Sequence, residues 1–236
     1  MAGAAELLCI AGLEAWYGES QVLHGVDVHV ERGEVVTLLG RNGAGRTTTM
    51  KALLGLVGSR RGSVLINGIQ TIDRRPHEIA RLGIGYCPEE RGIYASLSTE
   101  ENLELPPAVA PGGMSAEEIY AMFPNLKERR ASRGSHLSGG EQQMLALGRI
   151  LRTGARLLLL DEISEGLAPV IVQSLARTIQ RLREKGYTIV MAEQNFRFAA
   201  PLADRFYIME HGRIVEGFPA GELQAKMTML REFLGV

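Results

Sequence analysis

Three short stretches of this 236-residue chain hold residue types that could do chemistry. The first is Gly40-Arg41-Asn42-Gly43-Ala44-Gly45-Arg46-Thr47, followed by Thr48. Its glycines let backbone N–H groups turn inward around phosphate oxygens, and a helix starting there adds the positive end of its dipole. Thr47 is placed to offer its hydroxyl to Mg²⁺, an ion that takes few protein oxygens alongside those of a phosphate. The second stretch is Asp161-Glu162, which closes the apolar run Leu157–Leu160. Asp161 could hold the water shell of the same ion, and Glu162 could polarise an attacking water as general base. Two solvated acids at a strand end is the plainer reading of that pair alone. The glycine-rich loop about 120 residues earlier argues against it. The third is Leu137-Ser138-Gly139-Gly140-Glu141-Gln142-Gln143, a second helix start able to face an anion.

One residue in the first loop is unusual. Such loops carry Lys where this chain has Arg46. Lys is a compact point charge that threads to the β- and γ-phosphates, whereas Arg is a larger planar fork. Charge is kept, but reach and shape are not. Weakened nucleotide binding and reduced hydrolysis are the expectation, and tolerance of an Arg, natural or introduced, is the alternative.

The elements that must position these residues follow from the apolar patterning. Val35–Leu39 reads as a buried strand running into the loop, and Thr47–Leu56 as the helix after it. Arg156–Leu160, Tyr187–Ala192 and Ile84–Cys87 read as further strands, with helices at Gln142–Arg152 and Ala168–Lys185 between them. Strands alternating with helices predict a parallel α/β sheet, with the Asp161 strand beside the loop strand. Residues 7–30 and 62–68 alternate as antiparallel strands do, 90–152 read as a helical insert without strands, and Gly221–Leu234 as a terminal helical segment.

Composition limits the function classes. There are 26 basic and 27 acidic residues, a net charge of −1, so binding of nucleic acid by bulk charge is excluded. The apolar runs are far shorter than the roughly 20 residues of a membrane-spanning helix. The acidic, non-basic N-terminus does not read as a signal peptide. Cys9 and Cys87 form no metal or redox motif and are expected to be buried, reduced thiols. The chain reads as cytoplasmic.

The heptapeptide Leu137–Gln143, about 20 residues before the apolar strand with Asp161-Glu162, resembles the signature of the ATP-binding cassette (ABC) transporter ATPases. That resemblance covers nearly the whole chain. It implies an α/β P-loop NTPase (RecA-like) core with a small antiparallel β subdomain and a helical ABC-specific insert. The expected organisation is one domain over 1–236, with core and β subdomain in 1–89 and 153–236 and the helical subdomain in 90–152. ATP and Mg²⁺ are the implied cofactors. Tyr17 is similar to the aromatic that stacks on adenine. Glu89 stands where a Gln touches Mg²⁺ and the attacking water, and Gln194 where a His contacts the γ-phosphate. Ser138, Gly139 and Gly140 would cap the γ-phosphate held by a partner subunit in a head-to-tail dimer.

The strings Cys-Pro-Glu89, Leu137-Ser-Gly-Gly-Glu-Gln-Gln-Met-Leu-Ala146, Ser164-Glu-Gly-Leu-Ala-Pro169 and Glu-Gln-Asn195 are similar to the F-type ATPase subunit of branched-chain amino acid importers. Importers of urea, amides or other amino acids carry nearly the same subunit. Arg46, Ile163 and Glu90 depart from that branch. They motivate a second reading, a hydrolysis-impaired regulatory or degenerate-site subunit. The implied partners are membrane permeases, a second ABC ATPase subunit and a periplasmic or lipoprotein substrate-binding protein, with no nucleic acid. The implied location is peripheral, on the inner face of the cell membrane.

Overall fold

The computed structural model describes residues 6–235. The chain opens with a long hairpin, β1 (Glu6–Tyr17) and β2 (Ser20–Glu31). β3 (Val35–Leu39) is buried at all five positions and runs through the glycine-rich loop into α1 (Arg46–Leu53). β4 (Ser59–Ile66) and β5 (Ile69–Gln70) return to the hairpin and complete an antiparallel sheet in the order β2-β1-β4-β5. α2 (Pro76–Ala80) leads to β6 (Ile84–Cys87). The helices α3 (Thr99–Glu104), α4 (Ala116–Met122), α5 (Pro124–Glu128) and α6 (Gly139–Arg152) follow. The rest of the chain is β7 (Leu157–Asp161), α7 (Pro169–Glu184), β8 (Thr188–Glu193), α8 (Phe196–Ala199), β9 (Arg205–Glu210), β10 (Arg213–Pro219) and α9 (Leu223–Leu234).

The second sheet has the order β10-β9-β3-β8-β7-β6 and is parallel except for β10. Its strands alternate between two cores. Val35, Leu39, Leu158, Leu160, Ile189 and Met191 face the side packed by α6, α7 and α9. Val36, Leu38, Leu157, Leu159, Val190 and Ala192 face α1 and the antiparallel sheet. Both faces are therefore covered, which is why these strands read as unbroken apolar runs rather than as alternation. No helix among the described residues is long and apolar enough to cross a membrane.

Four expectations need correction. The Asp161 strand does not lie beside the loop strand, because β8 pairs with β3 on one edge and with β7 on the other. The crossover helix α7 carries the chain back between them. Helix α1 ends at Leu53 rather than Leu56, since Gly55 turns left-handed at φ 72° just past it. Cys87 is buried, but Cys9 is only partly so, and the two are unpaired. The hairpin β9–β10 was not expected at all. Its signals are the apolar run Phe206–Met209 and the turn His211-Gly212, where both residues have positive φ (46° and 72°), the requirement of a tight two-residue hairpin turn.

That turn sits directly behind the glycine-rich loop. The Gly212 N–H donates to the Ala44 carbonyl at 2.8 Å, and the Gly212 carbonyl accepts from the His24 N–H at 2.9 Å. A Cβ at Gly212 would lie 1.9 Å from the Val22 carbonyl oxygen. Gly212→Ala is therefore expected to lower stability by more than about 2 kcal/mol, read as a shift of the urea midpoint. An unchanged midpoint would show that the turn is free to move.

Candidate active site

The loop leaves the carboxyl end of β3, the edge at which open α/β sheets bind ligands. Gly43 and Gly45 take φ of 80° and 106°, and Gly45 caps α1. A Cβ at Gly40 would lie 2.6 Å from the Met209 carbonyl oxygen and 2.9 Å from the Ala44 Cβ, so the loop can pack against β9 only as glycine. Arg41, Asn42 and Gly43 are exposed, Ala44, Gly45 and Arg46 are buried, and Thr47 and Thr48 lie between. The first turn of α1 thus opens at the loop, with its free N–H groups towards any anion held there.

Thr47 and Asp161 meet across the end of β8. The Thr47 hydroxyl donates to Asp161 Oδ1 at 3.0 Å, and the Tyr86 hydroxyl donates to Oδ2 at 3.0 Å. Burial pushes the Asp161 carboxyl above the usual carboxylate range, these two hydrogen bonds pull it back, and the charges of Glu162 and Glu89 push it up again. Burial beside Asp161 pushes the Tyr86 hydroxyl up as well, so it stays a donor. An alcohol and a carboxylate at this place are hard oxygen donors. Among the described residues no group of three or more His, Cys, Asp or Glu could hold a metal alone. That donor set fits Mg²⁺, which binds through one or two protein ligands and fills its shell from phosphate and water.

Arg46 does not point outward. Its side chain is 3 % exposed and pairs with Glu162, which is 10 % exposed. The same guanidinium donates to the Gly40 carbonyl, to the Glu193 carbonyl at 3.2 Å and to Asn42 Oδ1 at 3.4 Å. Glu162 is itself in the left-handed region at φ 47°, held by its N–H to the Ala192 carbonyl at 2.9 Å. A non-glycine residue there is strained, and such strain is retained where the surroundings over-determine it.

Two cavities flank this ion pair. One of about 150 Å³ follows the loop and is lined by Gly43 to Thr48. The other is an open cleft of about 1050 Å³ that holds Asn42, Ser164, Gln194 and Phe198. Glu162 lines both. A small cavity at the loop and an open cleft thus share one carboxylate.

Residues 23–165 match the ABC transporter family. This chain belongs to that family. It is an ABC ATPase, an ATP-binding subunit. It is 41 % identical over 218 residues to the high-affinity branched-chain amino acid transport ATP-binding protein BraG of Pseudomonas aeruginosa, covering 89 % of this chain and 91 % of BraG. It is 32 % identical over 234 residues to the lipopolysaccharide export system ATP-binding protein LptB of Acidithiobacillus ferridurans, covering 98 % of this chain and 97 % of LptB. A solved ATP-binding subunit of an ABC transporter superposes with a TM-score of 0.78 at 30 % identity, over 94 % of each chain. The P-loop NTPase cassette fold is the one expected from the motifs.

The remaining expected site residues of the cassette are distributed unevenly. Gln194 is exposed and lines the larger cleft. Glu89 is exposed beyond β6, close enough for its charge to act on Asp161. Tyr17 is 44 % exposed at the β1–β2 turn, and Val22 of the same hairpin lines the loop cavity. Ser138, Gly139 and Gly140 line neither cavity. They form the start of α6, where the Ser138 hydroxyl accepts from the Glu141 N–H and Glu141 reaches back to the Ser138 N–H. Gly140 abuts Ile171 of α7, 2.9 Å from where a Cβ would stand.

Sequence reasoning missed Tyr86, Glu193 and Gly212. Tyr86 and Glu193 lay inside strings noted for their neighbours, and only the fold shows what they touch. Glu193 is buried with its carboxyl against Ser164, and burial pushes it up to about 7. A folded carboxyl raised above its unfolded value keeps a proton that the unfolded chain has released, so stability falls as pH rises between those values. Wild type is therefore expected to lose about 3 kcal/mol relative to Glu193→Gln between pH 4.5 and 7, measured by urea denaturation across that range. Parallel pH profiles for the two proteins would refute the assignment.

Proposed function

We propose that this cassette is the ATP-hydrolysing subunit of an importer for branched-chain amino acids. The observation that carries the ATPase chemistry is the meeting of Thr47, Asp161 and Glu162 at the mouth of the Gly40–Thr48 loop. The cargo rests on the greater identity to BraG than to LptB, 41 % against 32 %. In this reading the protein docks from the cytoplasm on membrane permeases, and a separate substrate-binding protein delivers the amino acid.

ATP would place its phosphates against the backbone N–H groups of the loop and the start of α1. Mg²⁺, when bound through Thr47 and Asp161 with Glu89 nearby, would neutralise phosphate charge. Phosphate and Glu162 then compete for the same guanidinium. Taking Arg46 over by phosphate frees Glu162 to accept a proton from the attacking water in the shared cleft. Gln194 would donate an amide hydrogen bond there, without the proton or charge that a His could carry. Ser138, Gly139 and Gly140 would close on the nucleotide of a second subunit, and Tyr17 would lie under its adenine. Such closure does work on the permeases only if ATP binds the closed dimer better than the open one.

Arg46 makes nucleotide entry costly, because a buried ion pair must be broken before phosphate takes the cation. Arg46→Lys is expected to raise kcat/KM for ATP by about tenfold, measured as phosphate release. Equal values in the two proteins would mean that Arg serves as well as Lys. Glu162→Gln should lower turnover by a factor of about 100 or more and trap an ATP-dependent dimer, visible by size-exclusion chromatography. If no dimer forms with itself or with a partner ATPase, the two-subunit site is wrong. Co-purification with permeases, and ATP-dependent leucine uptake by the reconstituted assembly, test the cargo.

A further inference from the structure

Glu193 is the last residue of β8 and is 1 % exposed, next to the exposed Gln194. A buried carboxyl at a strand end needs partners, and each of its oxygens finds one in Ser164, with the Asn195 N–H acting on it as well. Glu193 Oε1 accepts from the Ser164 N–H at 3.2 Å, and Glu193 Oε2 pairs with the Ser164 hydroxyl at 2.9 Å. Ser164 is also buried, at 4 % exposed, two residues beyond Glu162. The Glu193 main chain takes part as well, since its carbonyl accepts from Arg46. One residue thus joins the turn after β7, the end of β8 and the cation of the phosphate loop.

We propose that Glu193 is a positioning residue for hydrolysis, clamping Ser164 so that Glu162 and Gln194 face the same cleft. The proposal rests on the reading of Glu162 as general base. Apart from the clamp, the strained turn at Glu162 is held by two backbone hydrogen bonds, its N–H to the Ala192 carbonyl and its carbonyl to the Glu165 N–H at 3.2 Å, and by the Arg46 ion pair, which is given up when phosphate arrives. The clamp stays in place at that moment. It touches none of the loop glycines, so nucleotide binding should not depend on it. Its work is geometric, and displacement of a reacting group by about 1 Å is enough to cost a factor of up to 100 in rate.

The test is steady-state ATPase of the full chain. Glu193→Leu is expected to lower kcat by about tenfold or more with KM for ATP changed by less than about twofold. Glu193→Gln can accept from the Ser164 N–H and donate to its hydroxyl, so it should hold kcat within about threefold of wild type. Ser164→Ala, a smaller change that guards against misfolding of Glu193→Leu, should show the same split between kcat and KM. Wild-type kcat in Ser164→Ala, a parallel loss of nucleotide affinity, or a Glu193→Gln protein as slow as Glu193→Leu would each overturn the clamp. Glu162→Gln run alongside separates the two ideas: if it retains turnover, the base assignment fails, whereas its loss with a fully active Glu193→Leu defeats only the clamp.

Discussion

One buried guanidinium ties the site together. Arg46 reaches the residues that follow three strands: Gly40 and Asn42 after β3, Glu162 after β7 and the carbonyl of Glu193 at the end of β8. A buried cation must be fully partnered, and the partners here lie up to 147 residues from it in the chain. The arrangement is possible only because those strands are adjacent and parallel, so that their carboxyl ends open on one edge. The pairing of Arg46 with Glu162 also sets the chemical state of the resting site. In the proposed mechanism its cation and its base neutralise one another until phosphate separates them.

The strands can end in charge because they are apolar until that point. β3 and β7 are buried along their whole length, and β8 is buried through Glu193. Two cores pack against the sheet, one on either face. Thr47, Tyr86 and Asp161 form a chain of hydroxyl-to-carboxylate hydrogen bonds, and Glu193 and Ser164 form a second one beside it. Behind the loop, the Gly212 turn closes the space that the glycines leave open.

The signature residues follow a different logic. Ser138 to Gly140 satisfy the start of α6 through a reciprocal cap with Glu141, and α6 packs on the helical side of the sheet. Among the described residues they line neither the phosphate-loop cavity nor the larger cleft. In the proposed dimer a second subunit supplies that half of the site.

Much of the site was legible because its chemistry is local. The glycines of 40–45, Thr47, and the acids that close an apolar run each announce themselves within a few residues, since positive φ, helix dipoles and strand ends are short-range properties. The parallel core was legible for the same reason. The order of the strands was not, because interposing β8 between β3 and β7 depends on how α7 packs rather than on any residue of those strands. The role of Gly212 was hidden too, since its steric limit is set by the Val22 carbonyl 190 residues earlier in the chain. The sequence by itself determined the family, with a glycine-rich loop at Gly40–Thr47 and an acidic pair at Asp161-Glu162. Only the tertiary structure decided that Arg46 would neutralise Glu162 and that Glu193 would grip Ser164. Ion pairs and buried hydrogen bonds depend on distances between remote segments, and packing alone sets those distances.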